Sequence, residues 1–442
     1  MNRKHGLVDR LSRREFAGTA AVGLLTASDG LKAAEAGLPA MLGPIVGPID
    51  DSSGMVWMRV DSAGNYVLEL TAADGSSPVR VPAVATEAND FCVHWRAENL
   101  RPATRYRYRI VRQDQLVAAA AEQAFVTAPA PELPSRFRLA VSSCAREDEG
   151  SRAVWKQMAA ENADAVLLIG DVPYIDSTQL AKQTTRHWEF AAVEEYQQLL
   201  RSRPCWWTWD DHDFAANDSD GKAAGKENSR LVYTRYRPQR SYGDGTAGIY
   251  TSFRYGPLEV FILDTRWYSE TEPSFADPAR PTLLGRGQWE WLQRGLRAST
   301  APFKILACGM IWDDKENREK DDWGTYAHER SALEAFLAQE RISGVVLCGG
   351  DIHASRVLRY KTKETLGYEL VQLIASPIHA NVIPKLNVYH PDLVRSAVEP
   401  NVFMLLDADS TVTPARLRAT LINRHGARVF TYDLNAADLA AK

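Results

Sequence analysis

No apolar run in this chain is long enough to cross a bilayer: the longest near the N-terminus, Phe16 to Ser28, falls short of the ~20 residues a span requires. Cysteine is scarce. The five thiols, Cys92, Cys144, Cys205, Cys308 and Cys348, are odd in number and thinly spread through 442 residues. That excludes a disulfide framework and leaves core burial as their ordinary fate. A charge excess is missing as well. The formal net charge of −4 excludes a chain whose overall field recruits nucleic acid or acidic lipid, although a local basic pocket stays allowed. Internal repeats and low-complexity segments are not evident, and 45% hydrophobic with 24% charged residues is the composition of a globular protein.

What is present begins with an address. Arg3, Lys4, Arg10, Arg13 and Arg14 form a basic front, a weakly apolar stretch follows, and Ala34-Glu35-Ala36 fits a small-residue cleavage site. Ser12-Arg13-Arg14-Glu15-Phe16 resembles the twin-arginine export signal, so residues 1–36 read as a removable leader recognised by the twin-arginine machinery. The mature chain is then exported, to the periplasm or beyond, with no stable membrane span.

Two domains are expected behind the leader. Residues 37–128 read as all strand: Gly54 to Val60, Tyr66 to Thr71 and Phe91 to Ala97 are short runs rich in Val, Trp and Tyr, separated by turn clusters. In Thr104 to Arg109, Arg105, Arg107 and Arg109 share one face, which reads as a solvated strand face, while Tyr106 and Tyr108 share the other. Leu100 to Tyr106 looks like the corner of a fibronectin-III-like β-sandwich, with Tyr106 as the corner tyrosine. The proline-rich residues 129–135 form a stiff linker. From 136 to 442, buried-looking strands (Phe137 to Ser142, Ala165 to Ile169, Leu258 to Leu263, Phe303 to Cys308, Gly344 to Leu347) alternate with amphipathic stretches (Ser151 to Glu161, His187 to Leu200, Gln288 to Leu296, Ser331 to Gln339). This alternation predicts an α/β domain whose helices cover a sheet.

In such sheets ligands bind where strands finish. Phe137 to Ser143 runs into Cys144. Ala165 to Gly170 runs into Asp171, with Tyr174 and Asp176 beyond it. Cys205 to Trp209 runs into Asp210-Asp211-His212-Asp213, followed by Asn217 and Asp218. Leu258 to Leu263 runs into Asp264-Thr265-Arg266, and Gly344 to Gly350 into Asp351-Ile352-His353. One aspartate after a strand is ordinarily a helix cap. Five strand ends that deliver carboxylates, a thiol, a phenol, a carboxamide and two imidazoles point instead to a metal site, because crowded carboxylates repel unless a cation neutralises them or protons are retained.

Oxygen-rich, histidine-poor ligands suit calcium, magnesium or manganese, whereas a thiolate and a phenolate suit a more highly charged metal, iron(III) above all. Such a cluster binds phosphate-ester oxygens and acidifies water. Arg266 could grip phosphate through its planar fork, and His212 could protonate a leaving group. His379 reads as a loop histidine of structural role, and Trp206, Trp207 and Trp209 as a packing wall.

Ser143-Cys144, Gly170-Asp171-Val172-Pro173-Tyr174, Trp209-Asp210-Asp211-His212-Asp213 through Asn217, Leu263-Asp264-Thr265-Arg266 and Gly350-Asp351-Ile352-His353 together resemble the alkaline phosphatase D (PhoD-like) family of the calcineurin-like metallophosphoesterase superfamily. Leu284-Gly285-Arg286-Gly287-Gln288-Trp289 and Asp322-Trp323-Gly324 look like its secondary signatures, and the resemblance extends over essentially the whole mature chain. One departure is Val172-Pro173, where the family shows a less constrained pair.

The resemblance implies an α/β fold: a metallophosphoesterase-type β-sheet sandwich flanked by helices, preceded by the fibronectin-III-like domain. It implies a mixed Fe3+ and Ca2+ centre held by Cys144, Asp171, Tyr174, Asp211, Asn217, Asp351 and His353, with Asp211 favoured over Asp210. His212 and Arg266 would be the catalytic residues. The activity implied is hydrolysis of small phosphate esters, monoesters first, by attack of metal-bound hydroxide. A diesterase or phospholipase D-type activity on the same centre is the nearest alternative. From a different class, a non-catalytic secreted calcium-binding or adhesion protein would need neither Cys144 nor Tyr174.

Overall fold

The computed structural model describes residues 39–75, 77–118, 123–313, 315 and 319–442; the leader read at residues 1–36 lies outside them. Strands β1 (Leu42–Ile49), β2 (Gly54–Arg59), β3 (Gly64–Ala72), β4 (Val79–Ala85), β5 (Cys92–Ala97), β6 (Arg105–Arg112), β7 (Gln115–Ala118) and β8 (Ala124–Val126) make two antiparallel sheets. One has the order β1-β2-β5; the other runs β4-β3-β6-β7, with β8 pairing on β6. Their inner faces meet across Val46, Val56, Leu68, Leu70, Trp95, Tyr106, Ile110 and Phe125. Strand β6 alternates as the sequence predicts, with Arg105, Arg107 and Arg109 outward and the tyrosines inward. The Tyr106 hydroxyl accepts a hydrogen bond from the Arg101 backbone N–H at 2.9 Å, which closes the corner.

After the linker come β9 (Arg136–Ser142), α1 (Glu149–Ala160), β10 (Ala165–Ile169), α2 (Leu180–Ala191), α3 (Glu194–Leu200), β11 (Cys205–Thr208), α4 (Asp211–Phe214), α5 (Lys226–Tyr236), β12 (Thr251–Tyr255), β13 (Leu258–Ile262), α6 (Arg286–Ala298), β14 (Phe303–Ala307), α7 (Ala327–Gln339), β15 (Val345–Gly349), β16 (Ser355–Arg359), α8 (Lys363–Leu366), β17 (Val371–Ile374), β18 (Leu393–Ala397), β19 (Val402–Asp409), β20 (Arg416–Asn423) and β21 (Arg428–Asn435). They form a mixed sheet ordered β11-β10-β9-β19-β20-β21 and a second ordered β12-β13-β14-β15-β17-β16-β18.

Strand β10, Ala-Val-Leu-Leu-Ile, explains why the two sheets stack. Every residue in it is buried, as a parallel strand covered on both faces requires. Ala165, Leu167 and Ile169 face the second sheet's Val260, Ile262, Ile305 and Val346. Val166 and Leu168 face outward to Trp155 of α1, Phe190 of α2 and Tyr196 of α3. The expected α/β sandwich with flanking helices is what forms. The carboxyl ends of the parallel strands β9, β10 and β11 in one sheet and β13, β14 and β15 in the other lie on the same side of that sandwich and define the edge described next.

Candidate metal centre

The loops at that edge are tied together by their backbones. Cys144 N–H donates to Gly170 C=O at 3.1 Å and Ala145 N–H to Asp171 C=O at 3.0 Å, which lashes the end of β9 to the end of β10. His379 N–H donates to Cys144 C=O at 3.0 Å, drawing in the loop that follows β17. Close approach depends on glycine: a Cβ on Gly170, whose φ is +94°, would stand 2.4 Å from the Asp210 Cβ. Cys144, Asp171, Asp351 and His353 all take left-handed backbone, with φ of 58°, 56°, 64° and 49°. For the cysteine and histidine in particular this conformation is strained, and such strain clusters at functional sites.

The side chains converge. Cys144, Asp171 and His353 each offer a ligand atom within 4.8 Å of the others, as do Asp171, Asp211 and His212; Asp210, Asp211 and Asp351; and Asp211, Asp218 and Asp321. Asp171 and Asp211 therefore join the groups into one cluster. Tyr174 belongs to it despite Val172-Pro173: its hydroxyl lies 2.9 Å from His353 Nε2 and 3.0 Å from His379 Nε2. His379 Nδ1 accepts from the Asn381 backbone N–H, so its Nε2 carries the proton and donates to the phenol oxygen. His379 is therefore a neighbour of the cluster, not only the loop histidine the sequence suggests.

Burial dominates the electrostatics. It pushes the carboxyl of Asp171 far above the usual range, and the charges of Asp211 and Asp210 add to the effect. Asp351 is raised to about 6 by burial in spite of Lys315, and Asp213 to about 7. Asp211 goes the other way: burial would raise it, but Arg266 and His212 hold it below the ordinary carboxylate range. Burial lowers His353 to about 4, leaving a neutral ring with a lone pair to offer. The Cys144 thiol is pushed up by burial and by Asp171, a balance that a bound cation inverts by taking the thiolate.

The donor set fits a cation. Asp171 Oδ1, Asp210 Oδ2 and His353 Nδ1 are buried without a hydrogen-bond partner among the described residues, which is costly unless something else supplies one.

Three sequence expectations need adjustment. Arg266 is not free to grip phosphate: it is fully buried, with Nε on Asp210 at 2.6 Å, Nη2 facing Asp321 at 3.4 Å and Nη1 on the Ser219 carbonyl. Its guanidinium is a counter-ion for the aspartates. Asn217 is exposed in the loop after α4, and its neighbour Asp218 brings the carboxylate to Asp211 and Asp321. Asp210, disfavoured beside Asp211, is a full member of the cluster.

Sequence reasoning missed Asp321 and Lys315, which lie in an irregular loop with no strand end to flag them. It named Asp176 without giving it a role, yet Asp176 Oδ1 sits 2.5 Å from His212 Nδ1. The secondary signatures act as scaffolding. Gln288 bonds both the N–H and C=O of Asp264, and the Asp264 carboxylate accepts from Arg266 N–H and Trp209 Nε1. Trp206, Trp207 and Trp209 are buried wall, as expected, and all five cysteines are free and buried.

The sequence model of the PhoD-like phosphatase family matches residues 178–404. Alkaline phosphatase D of Bacillus subtilis (strain 168) is 27% identical over 312 residues, a match covering 60% of this chain and 53% of that relative, so the chain spans about half its length. Among solved structures, that of PhoD superimposes with a TM-score of 0.70 at 18% identity, covering 88% of this chain and 91% of the other. Purple acid phosphatase PPD1 from yellow lupin (Lupinus luteus) seeds gives 0.67 at 14% identity, covering 90% and 74%. At these identities the two structures establish a shared fold. With the family match spanning more than half of its residues, the chain belongs to the PhoD-like phosphatase family.

Proposed function

We propose that this protein is a metal-dependent phosphoric ester hydrolase that acts on small phosphate esters, monoesters first. The observation that carries this reading is the junction of Cys144, Asp171, Asp210, Asp211, Asp351 and His353 at one sheet edge, with buried donor atoms left unpartnered. Cys144, Asp171, Tyr174 and His353 would hold the more highly charged cation, for which thiolate and phenolate favour Fe3+. Asp211, Asp351 and Asp218 would hold Ca2+ through oxygen. Such ions, when bound, polarise phosphate oxygens and acidify water.

The chain supplies the rest. An ionised carboxylate only accepts, so Asp176 takes the Nδ1–H of His212. In its doubly protonated form His212, half-buried at the start of α4, would donate Nε2–H to the leaving alcohol's oxygen and be left as a neutral ring with its proton on Nδ1. Arg266 holds Asp210 and Asp321 in place, and keeps Asp321 below the ordinary carboxylate range, without touching substrate. The twin-arginine motif supports export, and the corner contact of Tyr106 supports a fibronectin-III-like module of structural role over residues 37–128, joined by linker 129–135 to a catalytic region over 136–442.

Elemental analysis of exported protein, run beside hydrolysis of aryl monoester and diester substrates with and without chelator, tests the proposal. Iron with calcium and chelator-sensitive monoester turnover is expected. Calcium alone with no turnover would move the chain to the non-catalytic class, and faster diester cleavage would make it a diesterase.

A further inference from the structure

The sequence points to ligands, but the structure also places a cation of the chain's own among them. Lys315 is 3% exposed, and its ammonium is 2.6 Å from Asp321 Oδ1, 2.8 Å from Asp351 Oδ2 and 3.3 Å from Glu319 Oε2. An ammonium has three N–H donors, and here three carboxylates face it. The backbone N–H of Lys315 is itself held by Asp322 Oδ2 at 2.9 Å, so the family's Asp-Trp-Gly signature anchors the lysine from behind. Asp321 belongs to the group with Asp211 and Asp218, and Asp351 to the group with Asp210 and Asp211. The ammonium thus bridges two carboxylate groups that share Asp211.

We propose that Lys315 is a tethered cation that occupies the position and takes over the charge of one metal ion on the Asp321–Asp351 side of the cluster. The inference rests on the metal-centre reading above. Among the described residues, five carboxylates, Asp210, Asp211, Asp218, Asp321 and Asp351, gather where two basic side chains, Arg266 and Lys315, make ion pairs. The excess calls for added metal, and the buried, unpartnered Asp210 Oδ2 is where part of that excess remains. A divalent ion cannot share the Asp321–Asp351 gap with the ammonium, since both need the same oxygens and repel each other at contact. The lysine therefore sets how many ions the cluster takes as well as neutralising it.

The test counts ions. The unmodified chain, Lys315→Met and Lys315→Arg are stripped with chelator, dialysed to equilibrium against Mn2+ and analysed for metal per chain. Lys315→Met is expected to hold about one more Mn2+ than the unmodified protein, and Lys315→Arg, which keeps the charge, the same number. Equal counts in the unmodified chain and Lys315→Met would overturn the proposal. Should Lys315→Met fail to fold after stripping, its refolding and melting are followed across a Mn2+ series. Recovery of the native melt by Mn2+ supports replacement of the ammonium, and failure at any concentration overturns it. Zero Mn2+ in the unmodified chain would sink the metal-centre reading instead, and Lys315→Met would still decide the lysine by the same comparison.

Discussion

At His212 the contact that matters for proton transfer lies on the far side of the ring. Asp176 Oδ1 holds Nδ1 at 2.5 Å, and the ring packs against Tyr174 with centroids 4.6 Å apart, so both the tautomer and the tilt are set before substrate arrives. Replacing Asp176 with Asn removes the carboxylate that pairs with the doubly protonated, proton-donating ring. The expected result is a fall in kcat of about 10- to 100-fold, the size usual for losing the partner that orients a functional histidine. The fall should be large for an alkyl phosphate, whose leaving group needs a proton, and small for a nitrophenyl phosphate, whose leaving group does not. Equal losses for both would mean Asp176 serves folding only. Asp171 makes a sharper prediction, because it joins the thiol group to the carboxylate group. Asp171→Ala should release metal and cut hydrolysis by about 10³-fold or more, the rate equivalent of several kcal/mol of lost charge stabilisation. Far-UV circular dichroism should remain that of the folded chain, and turnover with full metal content would remove Asp171 from the centre.

Strands and loops differ in how much they announce in sequence. Strands β10 and β15 are continuous apolar runs and β13 is apolar but for Glu259, because both faces of these strands are covered, so their ends, and with them Asp171, Asp264 and Asp351, could be located directly. Strand β1, Leu-Gly-Pro-Ile-Val-Gly-Pro-Ile, went unread because its glycines and prolines signal turns, although it is buried along nearly its whole length. The stretch His187 to Leu200 reads as one amphipathic helix, yet α2 ends at Ala191 and α3 begins at Glu194, with extended Val193 as a new N-cap. Lys315 and Asp321 were illegible for a different reason: their neighbours in space come from other strands' loops, and local pattern carries no trace of that. Element context also sets a pH response. Lys304 on β14 has its ammonium boxed in by the carbonyls of Ala301 at 2.7 Å and Ser343 at 3.1 Å, and burial lowers it from 10.5 to about 8 despite Glu259. Between those values the unfolded chain keeps a proton that the folded chain has released. Stability contributed by this site therefore rises with pH across that window, by up to about 3 kcal/mol. Urea unfolding at pH 7.5 and 10 should show that gain, and Lys304→Met should flatten it; a variant with the same pH slope as the parent would assign the rise to another group.

At the scale of the whole molecule, the boundary drawn at residue 128 follows the sheets but not the core. Leu42, Ile45, Trp57 and Cys92 of the N-terminal sandwich lie in the same apolar cluster as Trp155, Phe190, Tyr196, Trp207 and Tyr236 from the region that carries the metal ligands. Polar contacts reinforce the seam. Trp57 Nε1 donates to the Arg235 carbonyl at 2.7 Å, and Tyr108 donates to the Arg201 carbonyl at 2.8 Å. The Asp90 carboxylate takes Arg59 on one side and the Tyr236 hydroxyl on the other. A docking module hung on a flexible linker would keep its own core and melt separately, whereas a shared core makes the two regions a single cooperative unit. Calorimetry of the intact chain should accordingly show one transition whose van't Hoff and calorimetric enthalpies agree. Trp57 is fully buried at the seam, so Trp57→Ala should cost about 3–5 kcal/mol and lower that one transition as a whole. Metal content at temperatures below the lowered transition should be unchanged, since the ring and carbonyl that Trp57 holds, Tyr236 and Arg235, lie on α5. Two resolved transitions in the parent, or a Trp57→Ala variant that shifts only one of them, would show that the sandwich folds for itself and that its contact with residues 136–442 is a docking surface after all.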